Sequence, residues 1–153
     1  MAGQVRRRVA VGAAALAAAA GLALVPSPAQ AGNEASCTNP PTPQWFNTRL
    51  QEAADYPGDS VPSSWGDSLN MSRIVCWESD YRPDAENGQY YGLGQLSRTS
   101  LADYSNFSWD IYQHGTSAHP ASYYQLLAAL RYCKGRYDTT TAAWEHHKAT
   151  GVW

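Results

Sequence analysis

The sequence predicts a mainly α fold: a single small helical domain with a loop or small β region after its second helix. Three observations carry that prediction. Apolar residues recur at helical spacing in several separate stretches. Residues Asp80 to Gly94 hold Pro83, Gly88, Gly92 and Gly94 and few aliphatics, the composition of loops and short strands. The 153-residue chain, once an N-terminal leader is set aside, has room for one core.

The leader is read from its order: Arg6-Arg7-Arg8, an apolar run from Val9 to Val25, then Pro26, Pro28 and Ala29-Gln30-Ala31. These are the charged region, hydrophobic stretch and small-residue cleavage site of a secretory signal peptide. The run is rich in Ala and Gly and shorter than the ~20 residues of a spanning helix. The expected division is therefore 1–31 signal peptide, 32–42 flexible lead-in and 43–153 folded domain. Of 11 Lys and Arg, the three leader arginines depart, so against 13 Asp and Glu the remainder carries a net −5. That balance offers no basic face to nucleic acid, and the chain is read as a monomer.

The elements follow in order. Thr42 is positioned to cap a helix whose first turn holds Pro43, with Trp45, Phe46, Leu50, Ala53 and Ala54 at helical spacing until Tyr56-Pro57-Gly58. After a turn-rich stretch to about Gly66, Asp67 or Ser68 can cap a second helix striped by Leu69, Ile74, Val75 and Trp77, with Met71 and Cys76 at its edges and Glu78 at its C-terminal end. A short helix is expected over about 97–104, then an irregular segment containing Asn106, Trp109 and Gly115. The clearest helix begins near Pro120, carries Tyr124, Leu127, Ala128 and Leu130, and is expected to stop at Gly135. A last one, over about 140–148, holds Ala143 and Trp144.

Three cysteines in an exported chain suggest one disulfide and one free thiol. Cys76 and Cys133, both on packed helices, are the expected pair; the other pairings stay open, because connectivity is not readable from sequence. Cys37 lies beside Pro40 and Pro41 in the lead-in, and Gly32 to Ser36 separate it from the leader, which argues against lipidation.

Glu78 is the residue on which chemistry is expected to rest. Beside Trp77 and Val75, desolvation disfavours the charged carboxylate, and the negative end of the helix dipole pushes the same way. Such a carboxyl can remain an acid near neutral pH, as a general-acid glycosidase requires. Ten Tyr and six Trp supply faces for stacking on sugars; Tyr90, Tyr91, Tyr137 and Trp144 are the expected platforms, whereas Trp45, Trp77 and Tyr124 are expected in the core. His146-His147 are adjacent and so project differently from a helix, which makes them a poor metal pair and places them at the surface or a cleft rim. No metal site, cofactor motif, phosphate loop or nucleophile elbow is read.

The run Glu78-Ser79-Asp80-Tyr81-Arg82-Pro83-Asp84-Ala85-Glu86-Asn87, followed by Gly92-Leu93-Gly94-Gln95-Leu96, resembles the soluble lytic transglycosylase family. Its motifs are E-S-x-(F/Y)-x-P-x-A-x-(N/S) and G-(L/x)-(M/G)-Q-(L/I), and six ordered positions of the first match. The resemblance is firm over residues 70–100; from Leu126 to Trp153 the chain more loosely resembles the tail of actinobacterial members. The A-Y-N-A-G motif of many members is absent, its place taken by Ala142-Ala143-Trp144-Glu145-His146. The resemblance implies a lysozyme-like fold and a secreted, cell-wall-associated enzyme acting on peptidoglycan glycan strands, cutting between N-acetylmuramic acid and N-acetylglucosamine without a cofactor. It implies that Glu78 protonates the leaving oxygen, then takes the proton of the sugar's 6-hydroxyl as a 1,6-anhydro product closes. Ser79 would hold the Glu78 carboxylate, and Asn87 and Gln95 would meet the sugar. Asp80, Asp84 and Glu86 leave a hydrolytic muramidase open, and a non-catalytic wall-binding or resuscitation-promoting-factor-like domain is the reading from another class.

Overall fold

The computed structural model describes residues 34–153; the expected signal peptide lies outside them. Among the described residues the chain is mainly helical: α1 (Glu34–Cys37), α2 (Gln44–Ala54), a 3-10 helix (Ser63–Asp67), α3 (Leu69–Ser79), α4 (Arg98–Tyr104), α5 (Trp109–His114), α6 (Ala121–Tyr137) and α7 (Thr140–Thr150). Between α3 and α4 a two-stranded antiparallel hairpin, β1 (Glu86–Asn87) and β2 (Tyr90–Tyr91), pairs Glu86 with Tyr91 and Asn87 with Tyr90. This is the small β region that the Pro and Gly content of 80–94 predicts.

The core is organised around α6. Leu126, Leu127, Ala128, Ala129, Leu130 and Cys133 are all buried, so this helix is apolar nearly all round over its middle, as a central helix must be. One side packs Leu126, Leu127, Leu130 and Cys133 against Phe46 and Leu50 of α2, Ile74 and Val75 of α3, and Ala143 of α7. The other side sets Ala128 and Tyr132 against Leu96, Leu101 of α4 and Tyr112 of α5. Each large aliphatic or aromatic side chain so buried contributes about 1.5–3 kcal/mol.

Several local expectations are corrected. Thr42 does not cap α2; Pro43 stands at the N-cap with no side-chain bond, and the Thr42 hydroxyl reaches the Ser72 hydroxyl at 2.7 Å. On α2 it is Phe46 that enters the core, leaving Trp45 38% exposed. On α3, capped by Ser68, whose hydroxyl accepts from Met71 N at 3.3 Å, the buried face runs through Met71, Ile74 and Val75 at helical spacing, so Met71 is fully buried and Leu69, on the opposite side of the first turn, is 46% exposed. The segment after α4 contains α5, a short helix capped by Ser108 and held by Tyr112 in the second apolar cluster. Gly135 does not end α6. It lies inside the helix, where a Cβ would stand 2.4 Å from the Tyr104 ring, so the glycine serves close packing; Asp138, with φ 65°, ends the helix instead.

The disulfide joins Cys37 and Cys76, not Cys76 and Cys133. α1 lies against α3 and brings the two Cα atoms to 5.5 Å, within bridging range. Cys133 faces the interior on α6 as a free, buried thiol, its Sγ 3.7 Å from the Thr139 carbonyl, and burial pushes it up to about 12. Residues 34–42, expected as a flexible lead-in, are thereby fastened to α3, with Arg73 Nε adding a 2.7 Å bond to the Thr38 carbonyl.

Candidate active site

Asp80 closes α3 in the left-handed region, its N–H bonding the Cys76 carbonyl at 2.8 Å, and Tyr81 follows with φ 58°. Two successive non-glycine residues with positive φ are strained unless something fixes them. Here the fixing group is Tyr81 itself: its hydroxyl bonds the Ser72 hydroxyl at 2.7 Å and the Ser72 carbonyl at 3.1 Å, while its ring meets Phe46 edge-on at 5.0 Å. The chain is thereby turned back across the end of α3.

The loop that follows is tied from three sides. The Ser79 hydroxyl donates to the carbonyls of Val75 and Leu93, each at 3.0 Å. Gln95, itself with φ 46°, donates from Nε2 to the carbonyls of Ala85 at 3.0 Å and Gly92 at 2.9 Å. Gln125 of α6, fully buried, accepts from Leu93 N at 2.9 Å and donates to the carbonyls of Pro83 at 2.9 Å and Tyr112 at 3.2 Å. Gly92, with φ 76°, passes so close to that amide that a Cβ would stand 2.6 Å from Gln125 Cδ.

These bonds bear on two expected roles. The Ser79 hydroxyl fastens α3 to the loop, its hydrogen bonds going to the Val75 and Leu93 carbonyls and not to Glu78, while both Gln95 Nε2 protons are committed within the loop, so a bond from Gln95 to a sugar would fall to Oε1. These bonds are architectural, because the loop's backbone carbonyls, removed from water, must be satisfied by something.

Glu78, on the last turn of α3, is nearly buried, its side chain 9% exposed. So little exposure removes the side chain from most of the water that would favour its charged form, while leaving it at the edge of the interior. Burial pushes the group above the ordinary range of a glutamate, and the hydrogen bond and charge that His147 can bring offset only part of the rise. His147 Nε2 lies 2.9 Å from Glu78 Oε1. The imidazole is 1% exposed, placed edge-on to Trp77 at 5.2 Å and stacked on Trp144 at 5.8 Å with 21° between planes. His147 is therefore an interior residue, not one of a surface or rim pair. The signal was present in the sequence: Ala143, Trp144 and His147 fall at helical spacing on one stripe of α7.

Of the expected platforms, Trp144 is brought to the site but buried to 6% exposure behind His147, with Arg73 and Lys148 over its ring. Tyr90 is 37% exposed and stands opposite Asn87, also exposed, on the hairpin. Tyr91 meets Trp109 and Tyr112 edge-on, and its carbonyl accepts from the Tyr112 hydroxyl at 2.7 Å. Tyr137, at the end of α6, packs on Tyr132 and His146. Asp80, Asp84 and Glu86 are exposed. Among the described residues no group of three or more His, Cys, Asp or Glu side chains is placed to hold a metal ion. Comparison with protein-family models, with curated proteins and with solved structures returns no match.

Proposed function

We propose that the protein is a secreted lytic transglycosylase with a lysozyme-like fold, cutting peptidoglycan glycan strands with Glu78 as acid and then base. The observation that carries this reading is the setting of Glu78: a carboxyl at a helix end, pushed above the ordinary glutamate range by burial and hydrogen-bonded to the buried His147, beside a loop tied by the motif residues Ser79, Tyr81 and Gln95. A raised carboxyl is what proton donation to a glycosidic oxygen at neutral pH requires. As that bond breaks, the sugar's N-acetyl oxygen closes on the anomeric carbon, and Glu78, now a carboxylate, takes the 6-hydroxyl proton as the anhydro ring forms. One residue serves both steps, so no second carboxylate is needed. The exposure of Asp80, Asp84 and Glu86 favours this outcome over a water-activating base held inside the site.

Export is supported by the Cys37–Cys76 bridge, since disulfides persist in oxidising compartments. Among the described residues no helix is long and apolar enough to cross a membrane. Clearing of a purified peptidoglycan suspension tests the reading. Wild-type protein clears it, and Glu78→Gln slows clearing by about 10²–10⁴-fold, the contribution of a general acid. Equal clearing by Glu78→Gln removes the assignment; binding without clearing by wild type makes the chain a wall-binding module.

A further inference from the structure

Resting on the reading of Glu78 as the acid, we propose that His147 is its positioning residue: a fixed Nε2–H donor to Oε1 that confines the catalytic proton to Oε2. The ring cannot turn freely, since Trp77 and Trp144 hold two of its sides and its side chain has no exposed surface. Its other nitrogen, Nδ1, is buried with no hydrogen-bond partner among the described residues. A hydrogen on Nδ1 would be an orphaned interior N–H, which proteins avoid more strictly than a bare acceptor. The tautomer that fits this box carries its hydrogen on Nε2, 2.9 Å from Glu78 Oε1. Nε2 then donates, Oε1 accepts, and a protonated Glu78 must carry its hydrogen on Oε2.

The consequence runs through both steps. In the first, Oε2 gives its proton to the glycosidic oxygen, which keeps the electron pair of the broken bond while the N-acetyl oxygen bonds to the anomeric carbon. Glu78 becomes a carboxylate, and the bond from His147 becomes charge-assisted, roughly twice as strong as its neutral counterpart. His147 thus stabilises the state after proton transfer more than the state before it, the condition for accelerating the step. In the second, O6 attacks the anomeric carbon, the N-acetyl oxygen leaves, and the O6 proton returns to Oε2. Oε1 remains bound throughout, so the carboxyl keeps its orientation between its two uses. α7, which carries His147, is also the helix in which Ala142 to His146 stand where the A-Y-N-A-G motif is absent.

Two measurements test this. Long-range proton–nitrogen NMR on the labelled protein at neutral pH reads the tautomer without substrate: hydrogen on Nε2 and a bare Nδ1 are expected, and hydrogen on Nδ1 overturns the proposal. Kinetics of His147→Gln and His147→Phe on peptidoglycan read the role. Gln carries an N–H toward the imidazole Nε2 position, whereas Phe fills the volume with no donor. With KM unchanged, His147→Phe loses about 10²-fold or more in kcat, the worth of one oriented donor, and His147→Gln stays within roughly tenfold of wild type. Equal losses in both, or wild-type kcat in His147→Phe, overturn it. If His147→Phe does not fold, the tautomer and His147→Gln still decide. If wild-type protein cleaves no peptidoglycan, the functional reading fails, whereas the proposal's donor geometry is judged by NMR alone.

Discussion

Replacing Gln125 by Leu removes the one side chain that joins α6, the turn after α3 and α5. Its amide satisfies Leu93 N, the Pro83 carbonyl and the Tyr112 carbonyl, and the residue is fully buried. Leu has similar size, so no cavity need form; what changes is that three backbone groups lose a partner away from water. Each such group costs about 1–3 kcal/mol, and the added apolar contact returns a kcal/mol or two, so a net loss of about 3 kcal/mol is expected. Against a total stability of about 5–15 kcal/mol this is a large share. Urea denaturation of the purified protein reads it: with a slope of about 1–3 kcal/mol per molar, the midpoint falls by roughly 1–3 M. A fall below about 0.3 M would refute the claim that Gln125 holds the loop. Gly92→Ala approaches the same contact from the other side, since its Cβ collides with that amide and φ is 76°.

Other outcomes follow from the same geometry. Cys37→Ser opens a bridge spanning 39 residues and costs about 4 kcal/mol by loop entropy, while Cys133→Ala leaves a protein whose intact mass still includes one disulfide; loss of the bridge in Cys133→Ala would contradict the pairing. Because folding raises the Glu78 carboxyl, the native state binds that proton more tightly than the unfolded chain. Its stabilisation is full below the ordinary glutamate value near 4.5 and is lost as pH rises through the folded value; Glu78→Gln flattens this slope and is the more stable protein above it, by thermal unfolding at stepped pH. An unchanged slope would deny the burial argument. The Arg131–Asp59 pair, 2.6 Å apart with side chains 14% and 8% exposed, is desolvated, so Asp59→Ala costs about 3–5 kcal/mol in urea unfolding, whereas a joint replacement of both by apolar residues costs less. A loss under about 1 kcal/mol for Asp59→Ala would place that pair with ordinary surface bridges.

What could be read from the sequence was what local pattern determines. The Ser68 cap, the extent of α3 and the place of Glu78 on its last turn follow from capping chemistry and apolar spacing, and the break into a hairpin follows from Pro83 and Gly88. What escaped was decided across distance. The Cys37 partner depends on α1 lying against α3, which no spacing states. α5, six residues long and bounded by Asn106 and Gly115, has little helical signal of its own and owes its place to packing on α6. Gln95 and Ser79 occupy motif positions, yet their polar atoms satisfy backbone groups that only the folded loop brings near. His147 was legible in part: its stripe with Ala143 and Trp144 marks it as interior, but its meeting with Glu78, 69 residues away, needed the packing of α7 on α3.

In the proposed reaction one nearly buried glutamate cuts a glycan strand and closes it without water. Mass analysis of the fragments released from purified peptidoglycan tests it most directly. Muramic ends are expected in the 1,6-anhydro form, each lighter by one water than a hydrolysed end, with almost none released by Glu78→Gln. Hydrated muramic ends throughout, or the same fragments from Glu78→Gln at the wild-type rate, would contradict it.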